Sequence, residues 1–240
     1  MRLAHPYPGV REGRNLSCGG SQNWFTDENF RLCGCGVIAC ADTLLYLNGR
    51  YELSMEEYLA YVGSLRRYFP LIPRHGIDGL RLAIGMNLCL SRQALPYRAG
   101  WSASAARFWA RLELLLSRDL PGIVSIGPNF PRVWGEEEVS LYHRTENGAY
   151  RRAAAVRAHF LTVTALDEEW METSTWGRRL YIERSAYDRY MKQQSGALLT
   201  NLLYLDPIKR SPQDSPSPER GKRNNAPLTG NGSMKEGRGL

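Results

Sequence analysis

The segment Cys35–Leu47 (CGVIACADTLLYL) constrains the fold more than any other part of the sequence. It begins directly after Gly34 and is apolar on most faces, which is the pattern of a buried helix. Such a helix has to be covered by other elements on most sides. With 240 residues, the chain is long enough to bury it in a full hydrophobic core. The sequence therefore predicts a central helix enclosed by one sizeable domain.

Further helical patterns lie in the first half of the chain. Ser54 and Glu57 form a capping box, in which each side chain satisfies a free backbone N–H at a helix start. We expect this helix to run to about Tyr68. Apolar residues spaced by three and four positions predict two more helices, over 79–90 and 103–117.

Strand patterns dominate the chain after Pro121. Short runs of β-branched and apolar residues predict strands, and one segment between them predicts a short helix over 185–192. We expect segment 127–157 to be a loop or flap with room for one hairpin. Helices in the first half and strands in the second predict an α+β fold, with the helix that starts at Cys35 packed on an antiparallel sheet. The predicted strands are 123–126, 159–165, 171–174, 180–182 and 198–205.

The net charge of +7 is concentrated at the C-terminal end. Residues 207–240 hold seven of the 31 basic residues and three of the 24 acidic ones, in a segment rich in Ser, Pro and Gly without an aromatic residue. We expect one folded domain at 1–206 and a disordered basic tail at 207–240. Because the charge of the domain is nearly balanced, the basic composition does not indicate a specific nucleic-acid partner.

The sequence favours a cytoplasmic location. Charged residues and prolines near the N-terminus leave no apolar region of a secretory signal, and no apolar run reaches the roughly 20 residues of a transmembrane helix. Five cysteines without a pairing pattern indicate free thiols in a reducing compartment.

Cys35 is the strongest candidate for a reactive residue. It opens an apolar helix, where the helix dipole and unpaired N–H groups are expected to stabilise a thiolate and lower its pKa. The alternative is that Cys35 is only a small buried residue at a tight helix start. Cys33 is the weaker candidate because the helix does not begin there. The spacings of Cys18, Cys33, Cys35 and Cys40 do not match common structural zinc sites, so no metal or other cofactor is expected.

The second half of the chain supplies the other residue types that thiol catalysis requires. His159 opens a predicted strand, and Ser174 ends the next one. A cysteine on an N-terminal helix, a histidine on a distant strand and a polar residue that orients the imidazole form a catalytic layout used by thiol enzymes.

In order and spacing, most of residues 15–205 resemble the papain-like cysteine peptidase superfamily, and the bacterial C39-like peptidases in particular. The motifs that carry the resemblance are GSQNWF at 20–25, CGVIA at 35–39 and HFLTVT at 159–164.

The resemblance implies a papain-like fold and a role for each motif residue. Cys35 would be the nucleophile, His159 the general base and Gln22 the side-chain donor of the oxyanion hole. The motif Ser174-Thr175-Trp176-Gly177 puts Ser174 where the residue that orients the imidazole would stand, with Asp167 as the alternative.

The activity implied is a cysteine peptidase or amidohydrolase, which cleaves a peptide or amide bond through a Cys-His acyl-enzyme. An acyltransferase that uses the same thiol and a catalytically inactive papain-like binding domain are the alternatives. The expected partner is a peptide or amide substrate. The sequence does not predict the oligomeric state.

Overall fold

A computed structural model of the chain describes residues 1–102, 105–127, 138–195 and 201–208, which belong to one unit, Met1–Ile208. In the described ranges the α-helices are α1 (Glu28–Cys33), α2 (Cys35–Leu47), α3 (Met55–Leu65), α4 (Gly79–Arg92), α5 (Phe108–Ser117) and α6 (Arg184–Tyr190). The strands there are β1 (Gly9–Glu12), β2 (Asn15–Leu16), β3 (Glu52–Ser54), β4 (Tyr97–Trp101), β5 (Gly122–Ile126), β6 (Val139–Arg144), β7 (Tyr150–Val156), β8 (His159–Leu166), β9 (Trp170–Thr175), β10 (Arg178–Glu183) and β11 (Leu202–Pro207).

An antiparallel sheet of eight strands forms the framework, in the order β4-β11-β5-β8-β9-β10-β6-β7. Its central strand β8 is buried along its whole length. A smaller sheet, in the order β2-β1-β3, joins two N-terminal strands to the strand that precedes α3. The helices together with the large antiparallel sheet confirm the predicted α+β class.

Helix α2 is the buried centre predicted from its composition. Residues 36–46 of this helix are all buried, and the helix packs against β8. Its first turn fits closely on the start of that strand: a Cβ added at Gly36 would lie 3.1 Å from the Phe160 ring. Glycine at this position therefore lets the start of the helix approach the start of β8, which is where both candidate reactive residues are found.

Several predicted elements match the structure closely. Helix α2 has the predicted bounds, and the capping box of Ser54 and Glu57 is formed at the start of α3. That helix ends at Leu65, before a 3-10 turn over Arg66–Tyr68. The predicted strands correspond to β5, β8, β9, β10 and β11, and the short helix corresponds to α6.

The elements without a strong sequence pattern were not predicted. They are α1, the three strands of the small sheet, and β4, which adds an edge to the large sheet. Part of the segment 127–157 forms the β6–β7 hairpin, which extends that sheet at its other edge.

Residues 128–137, and 209–240 of the predicted tail, lie outside the described residues, so the proposed boundary between domain and tail stays a prediction. Over the ranges that the structure describes, none of the helices combines the length and apolar character that crossing a bilayer requires.

Candidate active site

Cys35 is the first residue of α2, directly after the glycine that separates this helix from α1. Gly34 accepts the first intrahelical hydrogen bond from Ile38 N, at 3.0 Å. A Cβ at Gly34 would lie 2.5 Å from the Phe30 carbonyl oxygen, so only glycine fits this junction. The tight turn between the two helices therefore sets where the thiol of Cys35 is placed.

Backbone amides surround the Cys35 sulfur. Phe160 N donates a hydrogen bond to Sγ at 3.5 Å, and the amides of Gly36 and Cys35 itself also favour the thiolate. Burial nevertheless dominates and raises the pKa of the Cys35 thiol to about 11. The expectation of a lowered pKa is therefore wrong, because the loss of thiolate hydration raises the pKa more than the hydrogen bonds of the amides lower it.

His159 is the first residue of β8 and is only 6% exposed. Its Nε2 lies 2.6 Å from Thr175 Oγ1, and its ring packs against Trp176 with the ring centroids 4.7 Å apart. Burial lowers the pKa of His159 to about 4, so the imidazole is neutral at pH 7. Trp176 thus covers the imidazole.

The hydrogen-bond partner of His159 is Thr175 and not Ser174. Thr162 pairs with Ser174 across β8 and β9, so these two side chains share one face of the sheet. Because side chains alternate along a strand, His159 and Thr175 lie on the other face. The Ser174 hydroxyl donates instead to the Cys18 carbonyl oxygen, at 2.8 Å.

Asp167, the alternative partner, lies at the opposite end of β8 from His159. Its Oδ1 accepts hydrogen bonds from the backbone amides of Glu169 and Trp170, at 2.9 and 2.6 Å. Asp167 therefore closes the turn between β8 and β9 and does not orient the imidazole.

Cys35 and His159 line the same cleft, which has a volume of about 400 Å³. In the part of the chain that the structure describes, no hydrogen bond joins the two side chains. With Nε2 directed to Thr175, Nδ1 is the ring nitrogen left for the thiol. The cleft is also lined by Leu32, Cys33, Ile72, Arg74, His75, Gly76, Ile77, Asp78, Arg81, Ser125, Ile126, Gly127, Ala158 and Phe160.

Gln22 does not line this cleft. It lies in a 3-10 turn, Gln22–Trp24, and is 6% exposed. Gly20, two residues before it, accepts a hydrogen bond from Gly177 N at 2.8 Å, and Trp24 packs against Gly177. The turn that carries Gln22 is therefore joined to the turn that covers His159, while its role as an oxyanion-hole donor stays a prediction.

Asp42 is a structural member of this region that was not among the predicted site residues. It lies seven residues after Cys35 on α2, is 2% exposed, and accepts hydrogen bonds from Tyr58 Oη at 2.7 Å and Gly20 N at 2.9 Å. It thus links the helix of Cys35 to the loop before Gln22. The sequence signal that could have identified Asp42 is an acidic residue within a helix that is otherwise mainly apolar.

The described residues contain no cluster of three or more His, Cys, Asp or Glu side chains placed to hold a metal ion. The cysteines weighed above as zinc ligands are free thiols, and Cys40 is buried within α2 while Cys33 and Cys35 line the cleft. No protein-family model matches the chain, and no curated protein matches it significantly.

Proposed function

We propose that the protein is a thiol hydrolase of papain-like architecture, which cleaves a peptide or amide bond through an acyl-enzyme on Cys35. The proposal is carried by the observation that Cys35, at the start of a buried helix, lines the same cleft as His159. The Nε2 atom of His159 is held by Thr175, which leaves Nδ1 for the thiol. This is the arrangement of nucleophile, base and orienting residue that thiol catalysis uses.

In this mechanism the Cys35 thiol passes its proton to His159 as the sulfur attacks the carbonyl carbon. The C–N bond then breaks, and the imidazolium returns the proton to the leaving amine. Water attacks the thioester, with His159 again taking a proton, and the acid product leaves as the free thiol is restored. The amides around Sγ are placed to stabilise the negative charge that develops on the sulfur as its proton leaves.

The resting site holds a neutral thiol and a neutral imidazole, because burial raises the pKa of Cys35 and lowers that of His159. Proton transfer therefore has to accompany attack on a bound substrate, since a separated ion pair would be poorly solvated in the cleft. The acyl-enzyme should form only with substrates that enter the cleft and bring a polar carbonyl to the sulfur.

An acylation experiment tests the proposal. The full chain is incubated with a p-nitrophenyl ester and with a pool of internally quenched peptides, and adducts are read by intact mass. We expect a single acyl adduct that disappears in Cys35→Ala and persists in Cys33→Ala, which changes the other cysteine of the cleft. We also expect His159→Ala to slow acylation by at least about 100-fold. Acylation at Cys33 alone, or at no cysteine, would contradict the proposal.

The nature of the acceptor separates hydrolysis from acyl transfer. If amines enter the cleft, hydroxylamine added during turnover converts the thioester to a hydroxamate, and glycinamide converts it to an amide. Hydrolysis predicts that the free acid remains the main product when the amine is present at millimolar concentration. A main product carrying the amine would favour the acyltransferase.

A non-catalytic peptide-binding domain is the second candidate. It is favoured by the absence of a hydrogen bond between Cys35 and His159 in the described part of the chain and by the neutral state of both groups. On this alternative, Cys35→Ser would bind the same peptides as the unmodified chain, and neither protein would form an acyl adduct.

A further inference from the structure

One wall of the cleft carries more positive than negative charge. The segment that follows Phe69 contributes Arg74 and Arg81 to the lining, and among the described lining residues Asp78 is the acidic one. The other walls are mainly apolar and include Leu32, Ile126 and Phe160. A cleft of this kind is suited to a ligand that has an apolar body and an anionic group.

Asp78 is already engaged. Its Oδ1 accepts a hydrogen bond from Arg81 N at 2.9 Å and so caps α4, and its Oδ2 lies 3.4 Å from Arg81 Nε. Arg74, by contrast, forms no ion pair within the described residues. Among the described residues, Arg74 therefore has no acidic partner. The partner of Arg81 is Asp78, which also caps α4.

Arg74 is held in position by a short ordered turn. Its backbone is left-handed, with φ of 64°, and its N–H donates to Asn29 Oδ1 at 3.1 Å. Ile72 and Gly76 exchange two backbone hydrogen bonds, at 2.7 and 2.9 Å, which close the turn.

This turn packs against Cys33, at the end of α1 and close to the candidate nucleophile. A Cβ added at Gly76 would lie 3.6 Å from the Cys33 Cβ, two residues before Cys35. The backbone that carries Arg74 is therefore packed against the last residue of α1, close to the start of α2.

We infer that the cleft takes a substrate that carries a carboxylate, which pairs with Arg74 and Arg81 close to the bond that Cys35 would attack. This inference rests on the proposed function. Arginine suits the task because its planar guanidinium binds a carboxylate through two parallel hydrogen bonds. The carboxylate could belong to an Asp or Glu side chain or to the C-terminus of a peptide.

Two alkylating agents of nearly the same shape test the charge of the wall. Iodoacetate is anionic and iodoacetamide is neutral. The rate of Cys35 alkylation by iodoacetate, divided by the rate with iodoacetamide, therefore reports on the positive charge of the arginines. Both rates are measured in a Cys33→Ala background at low salt. Relative to N-acetylcysteine amide, we expect this ratio to be raised about fivefold or more. It should fall to within about twofold of the reference in Arg74→Gln/Arg81→Gln.

Arg92→Gln provides the matched control, because Arg92 is exposed at the far end of α4 and does not line the cleft. This variant should keep the raised ratio. A ratio equal to that of the free thiol, or one that is unaffected by removal of both arginines, would overturn the inference.

Binding measurements separate the two sources of carboxylate and do not depend on turnover. Titration of Cys35→Ala with peptides that differ only in Glu against Gln, and in a free against an amidated C-terminus, identifies the carboxylate that raises affinity. Loss of that preference in Arg74→Gln supports the inference even if no peptide is cleaved, in which case the proposed function alone fails. If acidic and neutral peptides bind with equal affinity and the unmodified chain cleaves both, the inference is overturned and the proposed function stays intact.

Discussion

The Nε2 atom of His159 and the Oγ1 atom of Thr175 lie 2.6 Å apart across two neighbouring strands. The direction of this hydrogen bond determines the chemistry of the other ring nitrogen. If Nε2–H donates to Thr175, Nδ1 is unprotonated and can accept the thiol proton of Cys35. If the hydroxyl donates, Nδ1 carries the hydrogen and cannot act as the base. Catalysis requires the first arrangement.

Removing the Thr175 hydroxyl should therefore impair catalysis. We expect Thr175→Val, which keeps the side-chain shape, to lower kcat by roughly 10- to 100-fold with little change in KM, because the imidazole loses its orienting partner. Ser174→Ala, one residue earlier, should change kcat less than about threefold, since Ser174 bonds the Cys18 carbonyl. Steady-state kinetics on a peptide cleaved by the unmodified chain measure both. A larger loss in the serine variant would return the orienting role to Ser174.

The reactivity of Cys35 should follow the pKa of about 11 that burial imposes on it. Because only the thiolate reacts, we expect its alkylation rate in the free protein to rise by about tenfold per pH unit between pH 7 and 10. Iodoacetamide labelling resolved by tandem mass spectrometry gives this profile, and Cys35→Ala supplies the background. A plateau that begins below pH 8 would mean that the thiolate is stabilised in the free protein.

Asp42 should make the fold less stable as the pH rises. Burial raises its pKa from 3.8 to about 7, so the folded protein holds this proton more tightly than the unfolded chain. The bound proton of Asp42 therefore adds to the free energy of unfolding. This contribution is on the order of 4 kcal/mol, is fully present below the pKa of the unfolded chain and is lost as pH increases through about 7.

Denaturant unfolding of the unmodified chain and of Asp42→Asn between pH 4 and 8 measures this dependence. His159, whose lowered pKa acts in the opposite direction, contributes equally to both proteins, so their difference isolates Asp42. We expect the stability of the unmodified chain relative to the variant to decline steadily over this range. A constant difference would show that Asp42 is ionised in the folded state throughout.

The close packing around Gly20 predicts a strong effect of a single methyl group. A Cβ at Gly20 would lie 1.8 Å from Tyr58 Oη, and this hydroxyl is held by Asp42. Gly20→Ala should therefore lower the free energy of unfolding by more than about 2 kcal/mol.

Gly63 offers the matched comparison because it lies within α3 and an added Cβ would meet no atom within 4 Å. Gly63→Ala should raise the free energy of unfolding by about 0.5–1 kcal/mol through its higher helix propensity. Chemical denaturation of both variants tests the pair, and similar effects from the two substitutions would contradict the packing described at Gly20.

Local sequence signals predicted the parts of the fold that depend on near neighbours. Helix α2 was predicted with its bounds because its apolar composition and the preceding glycine mark both its burial and its start. The α3 cap was predicted because Ser54 and Glu57 satisfy each other's backbone N–H groups over three residues. The short strands β1 and β3 were missed because they are stabilised by each other, about 40 residues apart, and carry no repeating pattern of their own.

At the candidate site, the chemical types can be predicted from the amino-acid order alone: a cysteine at the start of a buried helix, a histidine at the start of a strand and hydroxyl residues on the next strand. The tertiary structure alone decided which hydroxyl meets the imidazole, because the register between β8 and β9 directs Ser174 and Thr175 to opposite faces. It also decided the charge states, since the burial that neutralises Cys35 and His159 comes from residues distant in sequence. The position of Arg74 in the cleft wall was decided in the same way, because a turn after Phe69 packs against Cys33 at the end of α1.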